Sequence, residues 1–278
     1  MPSPKFDLAD PLTRGEDLAH NYRLATSLAD KTCHGCGRYH IVYPLTRWLD
    51  VGTAHKSDRA EFAQAVDRWA TARAQAPGAV TVLVVGAADS GLLAIAAHAC
   101  AKTGMLSRAR FAVVDRCDTP LALCRDFAVR HGLDLTTRVA TVERLPDLSP
   151  AQLVIVHSLL RFVPPETRLD CLRAWGGLVA PGGRMILSNT FAPQSGPARS
   201  PHSTRLRDLA ESGAFEPAEP KERFIARLGE GSPWTATDVT ESELLGLLRA
   251  AGLVAHEVHT VREADPGAGR LVAVLSRV

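Results

Sequence analysis

From residue 81 onward the chain alternates short, β-branched apolar runs with longer stretches of helical spacing. Val82-Leu83-Val84-Val85 ends a first strand over 81–85, and Leu92-Leu93-Ala94-Ile95-Ala96-Ala97 starts a helix running to about residue 103. Phe111-Ala112-Val113-Val114 predicts a second strand, closed by Asp115 and followed by a helix that Pro120 can open in its first turn. Strands three to five are expected over 135–142, 153–156 and 184–188, with an amphipathic helix at 167–179 before the fifth. The rhythm then breaks. Residues 192–201 are rich in Pro, Ser and Gly, and 205–234 mix a charged helical stretch with a Pro-containing loop. A helix over 241–251, stopped by Gly252, leads to strands over 254–261 and 270–278 around a turn at Asp265-Pro266-Gly267. Two strands joined without a helix must pair antiparallel. Upstream, helical periodicity over 16–28 and 61–74 flanks an irregular Cys-containing segment.

The pattern predicts an α/β fold: a seven-stranded, mostly parallel sheet with helices on both faces, an antiparallel C-terminal strand pair and an N-terminal helical cap. Residues 1–75 are read as the cap and 76–278 as the sheet domain, with 191–235 inserted over its cleft. The first strand runs into Gly86-Ala87-Ala88-Asp89-Ser90-Gly91 and then a helix. Such a turn brings bare backbone and helix N–H groups up to a ligand, a common way to hold a nucleoside-bearing cofactor.

Composition narrows the picture. A chain of 278 residues with 46% hydrophobic content buries a full core. Its net charge of +2, from 32 basic and 30 acidic residues, provides no broad attraction to nucleic acid or an anionic membrane. Arg199, Arg205, Arg207, Lys221, Arg223 and Arg227 are interspersed with Asp208, Glu211, Glu216, Glu219 and Glu222, a solvated mixed-charge face. Residues 1–17 lack a signal-peptide core, and no run approaches about 18 apolar residues. A soluble, cytoplasmic protein with a small-molecule substrate is expected, and a homodimer is compatible with the sequence. Cysteines 33, 36, 100, 117, 124 and 171 are scattered as reduced thiols rather than as a disulfide framework.

The order of elements and several loops resemble the class I S-adenosylmethionine-dependent methyltransferases over roughly residues 76–278. The most specific piece is Val179-Ala180-Pro181-Gly182-Gly183-Arg184-Met185-Ile186-Leu187, similar to that family's "L-x-P-G-G" turn into strand five. The resemblance implies S-adenosyl-L-methionine as cofactor, with Gly86, Ala87, Asp89 and Gly91 facing its methionine and adenosine parts and Asp115 on the ribose hydroxyls. It places Arg116, Thr141 and Val142 at the adenine, and His157 and Ser158 beside the reacting methyl. The family's acidic residue two before the first glycine is here Val84, and Asp89 stands inside the loop as its substitute for the ammonium contact.

Each residue also has a plainer reading. Asp115 can cap a helix, His157 can be satisfied by backbone at a strand end, and Arg161 can pair on the surface rather than orient a substrate. Cys117 reads as a small buried residue. Cys33, Cys36 and His40 form three corners of a zinc site without a fourth ligand nearby in sequence; the preferred reading is a lid in which Tyr39, His40, Tyr43 and Arg47 face the substrate, with no metal. The Gly86-x-Ala88-x-x-Gly91 spacing keeps an NAD(P)-dependent oxidoreductase open, though no second mononucleotide half is evident. Cyclisation or aminocarboxypropyl transfer from the same sulfonium stays open too, as does a non-catalytic cofactor-binding protein. The segment after strand four, His157-Ser158-Leu159-Leu160, lacks the Asn/Asp-Pro-Pro-aromatic loop of base-amino methyltransferases. The leading expectation is methyl transfer to an O or N nucleophile of a small molecule, with His157 as base.

Overall fold

The computed structural model describes residues 14–33, 35–51, 54–141, 145, 148–191, 201–229, 237–262 and 269–278, with backbone only for 54–59 and 201–202. Its elements in chain order are α1 (Leu18–Thr32), α2 (Gly37–Trp48), α3 (Ala54–Ala74), β1 (Val80–Val85), α4 (Gly91–Lys102), β2 (Ala109–Asp115), α5 (Asp118–His131), β3 (Leu135–Val139) and β4 (Ala151–His157). They continue with α6 (Arg168–Gly177), β5 (Val179–Phe191), α7 (Pro201–Glu211), α8 (Lys221–Gly229), α9 (Glu241–Ala250), β6 (Leu253–Arg262) and β7 (Gly269–Arg277).

The seven strands form one sheet in the order β3-β2-β1-β4-β5-β7-β6. Pairings among β1 to β5 are parallel, and β7 runs antiparallel to both β5 and β6. Because β1 connects outward to β2 while β4 lies on its other side, the strand order reverses between β1 and β4. Their carboxyl ends therefore open a crevice, where such sheets bind ligands.

Alternation along the central strands divides the core in two. Val82, Val84, Leu153 and Ile155 pack with α3, α4 and α5 on one face. Leu83, Val85, Val154 and Val156 pack with α6 and α9 on the other. Burial on both faces is why these strands read as unbroken apolar runs.

A smaller, separate core lies in the cap. Tyr22 and Ala29 of α1, Ile41 and Leu45 of α2, Leu206 of α7 and Phe224 and Leu228 of α8 pack together. The cap is thus built jointly by the N-terminal helices and the insertion before α9. The boundary at residue 75 cuts differently from the packing: Phe62, Val66 and Ala70 of α3 belong to the sheet's core.

The segment read as irregular between the first two helical stretches is instead α2, with Pro44 inside it. Gly35, Gly37 and Pro44 carry local signals against a helix, and they are outweighed by the burial of His40, Ile41, Pro44 and Leu45 along one face. The fifth strand is also longer than its apolar run. Val179 already pairs with Ala151, and a register irregularity lets Pro181-Gly182-Gly183 pass before Arg184 pairs with Leu153. The third strand ends at Val139; Val142, residues 192–200 and the turn at 265–267 lie outside the described residues.

Gly183 explains why this turn needs glycine. A Cβ there would stand 2.9 Å from the Ala180 carbonyl oxygen, 3.0 Å from that of Ala151 and 3.1 Å from that of Gln152. None of these backbone atoms can rotate away. Gly183→Ala should therefore cost about 1–3 kcal/mol, read as a lower denaturant midpoint at unchanged slope. Gly177→Ala, where a Cβ meets nothing within 4 Å, should leave the midpoint in place.

Candidate active site

Gly86 follows β1 with φ +77°, and its N–H donates to the Val114 carbonyl at 2.8 Å, so the chain turns sharply over the end of β2. A Cβ at Gly86 would also meet the Leu159 side chain at 2.8 Å. The positive φ is what requires glycine here, since the end of the Leu159 side chain can move aside. Asp115, at the end of β2, accepts the Ala87 N–H at 2.9 Å and the Cys117 N–H at 2.8 Å. Burial pushes its carboxyl above the ordinary aspartate range, against the lowering effect of these two donors.

Loop 86–91 is also held from the cap. The Arg47 guanidinium lies between the carboxylates of Glu16 and Asp89, and all three residues are buried. Asp89 Oδ1 accepts the Gly91 N–H at 2.8 Å, so both its oxygens have protein partners. Asn21 donates to Ser90 Oγ at 2.8 Å, and Ser90 Oγ donates to Glu16 at 2.6 Å. Two carboxylates around one guanidinium leave this cluster a formal charge of −1 behind the loop.

A cavity of about 420 Å³ opens at the strand ends. Its walls include Gly86, Ala87, Asp89, Gly91, Asp115, Arg116, His157, Ser158 and Arg161, together with Tyr39, His40 and Tyr43 from the cap. The sequence candidates thus meet around one space. Thr141 is not on its wall, and Val142 is outside the described residues. A larger hollow of about 840 Å³, lined by Tyr22, Asp30, Glu219 and Arg223 among others, takes no wall from the sheet. None of the sequence candidates at the strand ends lines it, so the smaller cavity is the candidate site.

His157 ends β4, its ring meeting the edge of Phe62 at 5.1 Å between centroids. Ser158 follows with φ +54°, its N–H on the Ser188 carbonyl at 2.7 Å and its hydroxyl accepting from Arg270 of β7. Tyr39 packs against Tyr43 at 5.7 Å and Phe162 at 6.1 Å, an aromatic roof. Arg161 lies 5.8 Å from the Phe162 ring and pairs with Asp238 at 3.3 Å.

Cys33, Cys36 and His40 are joined by Cys117, and one ligand-capable atom of each lies within 4.8 Å of the others. The hydrogen bond between Cys33 and Cys117 raises the first thiol's pKa and lowers the second's. The residues read as a lid lie along α2: Tyr39, His40 and Tyr43 line the cavity, whereas Arg47 faces Glu16 and Asp89 instead.

Sequence reasoning did not single out Arg270, Phe62 or Phe162, and it placed Arg47 and Cys117 in other roles. Arg270 opens an ordinary-looking strand, and nothing local marks it.

Comparison with solved structures gives the fold. The chain is similar to magnesium protoporphyrin IX methyltransferase from Synechocystis PCC 6803, crystallised with S-adenosylmethionine: 15% identity, TM-score 0.51, covering 92% of this chain and 97% of that one. It is also similar to a possible exported protein from Bordetella parapertussis: 16% identity, TM-score 0.52, covering 95% of this chain and 81% of that one. No family model matches the chain, and no curated protein matches it by sequence. The architecture is the Rossmann-like fold of the class I methyltransferases, in agreement with the resemblance read from the sequence. Among the described residues, no helix is long and apolar enough to cross a membrane.

The buried cluster makes a direct prediction. Arg47→Ala leaves Glu16 and Asp89 without their shared cation and should destabilise the protein by about 3–5 kcal/mol. Hydrogen exchange should show the extra opening concentrated in α1, α2 and loop 86–91.

Proposed function

We propose that the protein is an S-adenosylmethionine-dependent methyltransferase acting on an O or N nucleophile of a small molecule. The observation that carries this reading is the meeting of the loop 86–91 turn, Asp115 and His157 around one cavity under an aromatic roof. Its volume lies within the range of about 300–1,000 Å³ usual for small-ligand sites.

The residues present fit the cofactor. Asp115 is buried, and its two oxygens keep lone pairs beyond the Ala87 and Cys117 bonds, which suits a ribose diol. Asp89, which the resemblance sets against a cationic α-amino group, has its oxygens on Arg47 and the Gly91 N–H, so what it offers such a group is the net formal negative charge of its cluster rather than a free carboxylate. When bound, the cofactor supplies an electrophilic methyl on a sulfonium. The protein's part is alignment and exclusion of water, because methyl transfer is an in-line displacement.

His157 is assigned to take up a proton from the acceptor's oxygen or nitrogen, its ring packed nearly perpendicular to that of Phe62. Arg270, through the Ser158 hydroxyl, fixes the strained residue beside it. Tyr39, Tyr43 and Phe162 offer apolar faces to a flat or partly aromatic acceptor.

Calorimetry should give binding of S-adenosylhomocysteine and none of NAD; the reverse result, or neither ligand, removes the reading. Bonds to the ribose favour the charged form of Asp115, so binding lowers its pKa. Affinity should accordingly weaken as pH falls through the raised value of the free protein, starting above the ordinary aspartate range. Once an acceptor is in hand, His157→Ala should lower kcat by about 10²–10⁴-fold and remove the corresponding limb of the pH profile. Full turnover with an unchanged profile sinks the base role.

A further inference from the structure

The turn between α1 and α2 and the turn after β2 come together at three thiols and an imidazole. Cys33 follows the last residue of α1, Cys36 immediately precedes α2, and His40 lies in its first turn. Cys117 immediately precedes α5, two residues after Asp115. One donor atom from each falls within 4.8 Å of every other, and three of the four residues are buried.

We propose that these four residues form a structural zinc site that fastens the cap to the cofactor-binding turn. A tetrahedral site with Zn–S bonds of about 2.3 Å has S···S edges of about 3.8 Å, a scale the cluster already matches. Cys33 and Cys117 Sγ, 3.2 Å apart, need to separate by only about half an ångström to reach that edge. Three thiolates and one imidazole in tetrahedral array select zinc over harder cations, which prefer oxygen ligands. Binding exchanges protons for the ion: the thiols are deprotonated as Zn–S bonds form, their protons pass to solvent, and nothing is oxidised or reduced.

The surroundings are those of a metal site. His40 Nδ1 donates to the Ala88 carbonyl at 3.3 Å, which fixes the tautomer and leaves Nε2 as the ligand atom. Thr119 Oγ1 lies 2.8 Å from Cys33 Sγ, and the Cys117 N–H is held by Asp115. Four protein ligands close the coordination sphere, so the ion holds structure rather than activating water. A disulfide is the rival use of Cys33 and Cys117. It would leave the convergence of Cys36 and His40 on the same point without a purpose, whereas an ion uses all four residues.

The test is metal content, which does not depend on methyl transfer. The full chain, purified under reducing conditions with its affinity tag removed, should carry about one zinc per chain by inductively coupled plasma mass spectrometry. Cobalt(II) replacing it should show the intense visible bands of a tetrahedral site with thiolate charge transfer. Chelation should lower the melting midpoint by several degrees, and zinc should restore it. Cys36→Ser and Cys117→Ser should each weaken zinc binding by more than the about 10–100-fold typical of outer-shell changes, whereas Cys171→Ser, which alters a thiol in α6, should keep the metal. Reduced wild-type protein that takes up neither zinc nor cobalt overturns the proposal, as does a metal-free protein with a Cys33–Cys117 disulfide, or full zinc retention in Cys117→Ser. The wild-type measurement stands even where a variant fails to fold.

Discussion

A buried guanidinium holds the cap in register with the sheet. Arg47 comes from a cap helix, Glu16 from the segment before α1 and Asp89 from the loop after β1, and each is almost wholly removed from water. Such a cluster is a weak source of net stability, since desolvating three charges offsets most of their attraction. Its value lies in position. Any shift of α2 along the sheet separates a buried cation from its anions, so the cap has one energetically tolerable seat. Because Asp89 is part of the turn that lines the cavity, that seat also fixes the turn.

The rest of the architecture follows from keeping two cores apart. The sheet buries its faces under α3, α4 and α5 on one side and α6 and α9 on the other, with no help from α1 and α2. The cap helices make their own small core with α7 and α8, which enter between β5 and α9. Between these cores remains a space at the strand ends, walled by backbone turns, polar side chains and apolar side chains such as Phe62, Ile95 and Leu159. Polar loop residues and the aromatic side chains of α2 meet there with edges of the sheet's core, Phe62 and Ile95 among them.

Much of this was legible in the chain. Strands buried on both faces announce themselves as apolar runs, and Pro181-Gly182-Gly183 signals a turn whose crowding by three carbonyl oxygens leaves room for no side chain. The helix α2 was hidden, because its local signals oppose it and only burial of its inner face decides in its favour. Arg47, Cys117 and Arg270 take their roles from partners far away in sequence: Asp89 for the first, Cys33 for the second, Ser158 for the third. Periodicity reports which face of an element is buried, but not which distant residue it meets there. That is why the C-x-x-C spacing was visible while its neighbouring thiol read as packing.

The loop after β1 shows how these distant partners act together. Ala87 gives its N–H to Asp115, Ala88 its carbonyl to His40, Asp89 its carboxylate to Arg47, and Ser90 its hydroxyl to Asn21 and Glu16. Four consecutive residues are thus tied to the end of β2, to α2 twice over, and to α1 with the segment before it. The strand before them contributes no acid, since Val84 faces the sheet's core. The negative charge sits in the turn itself, at Asp89, and depends on the cap for its orientation. Control of the turn therefore lies with the cap, which must be docked for the turn to hold its shape.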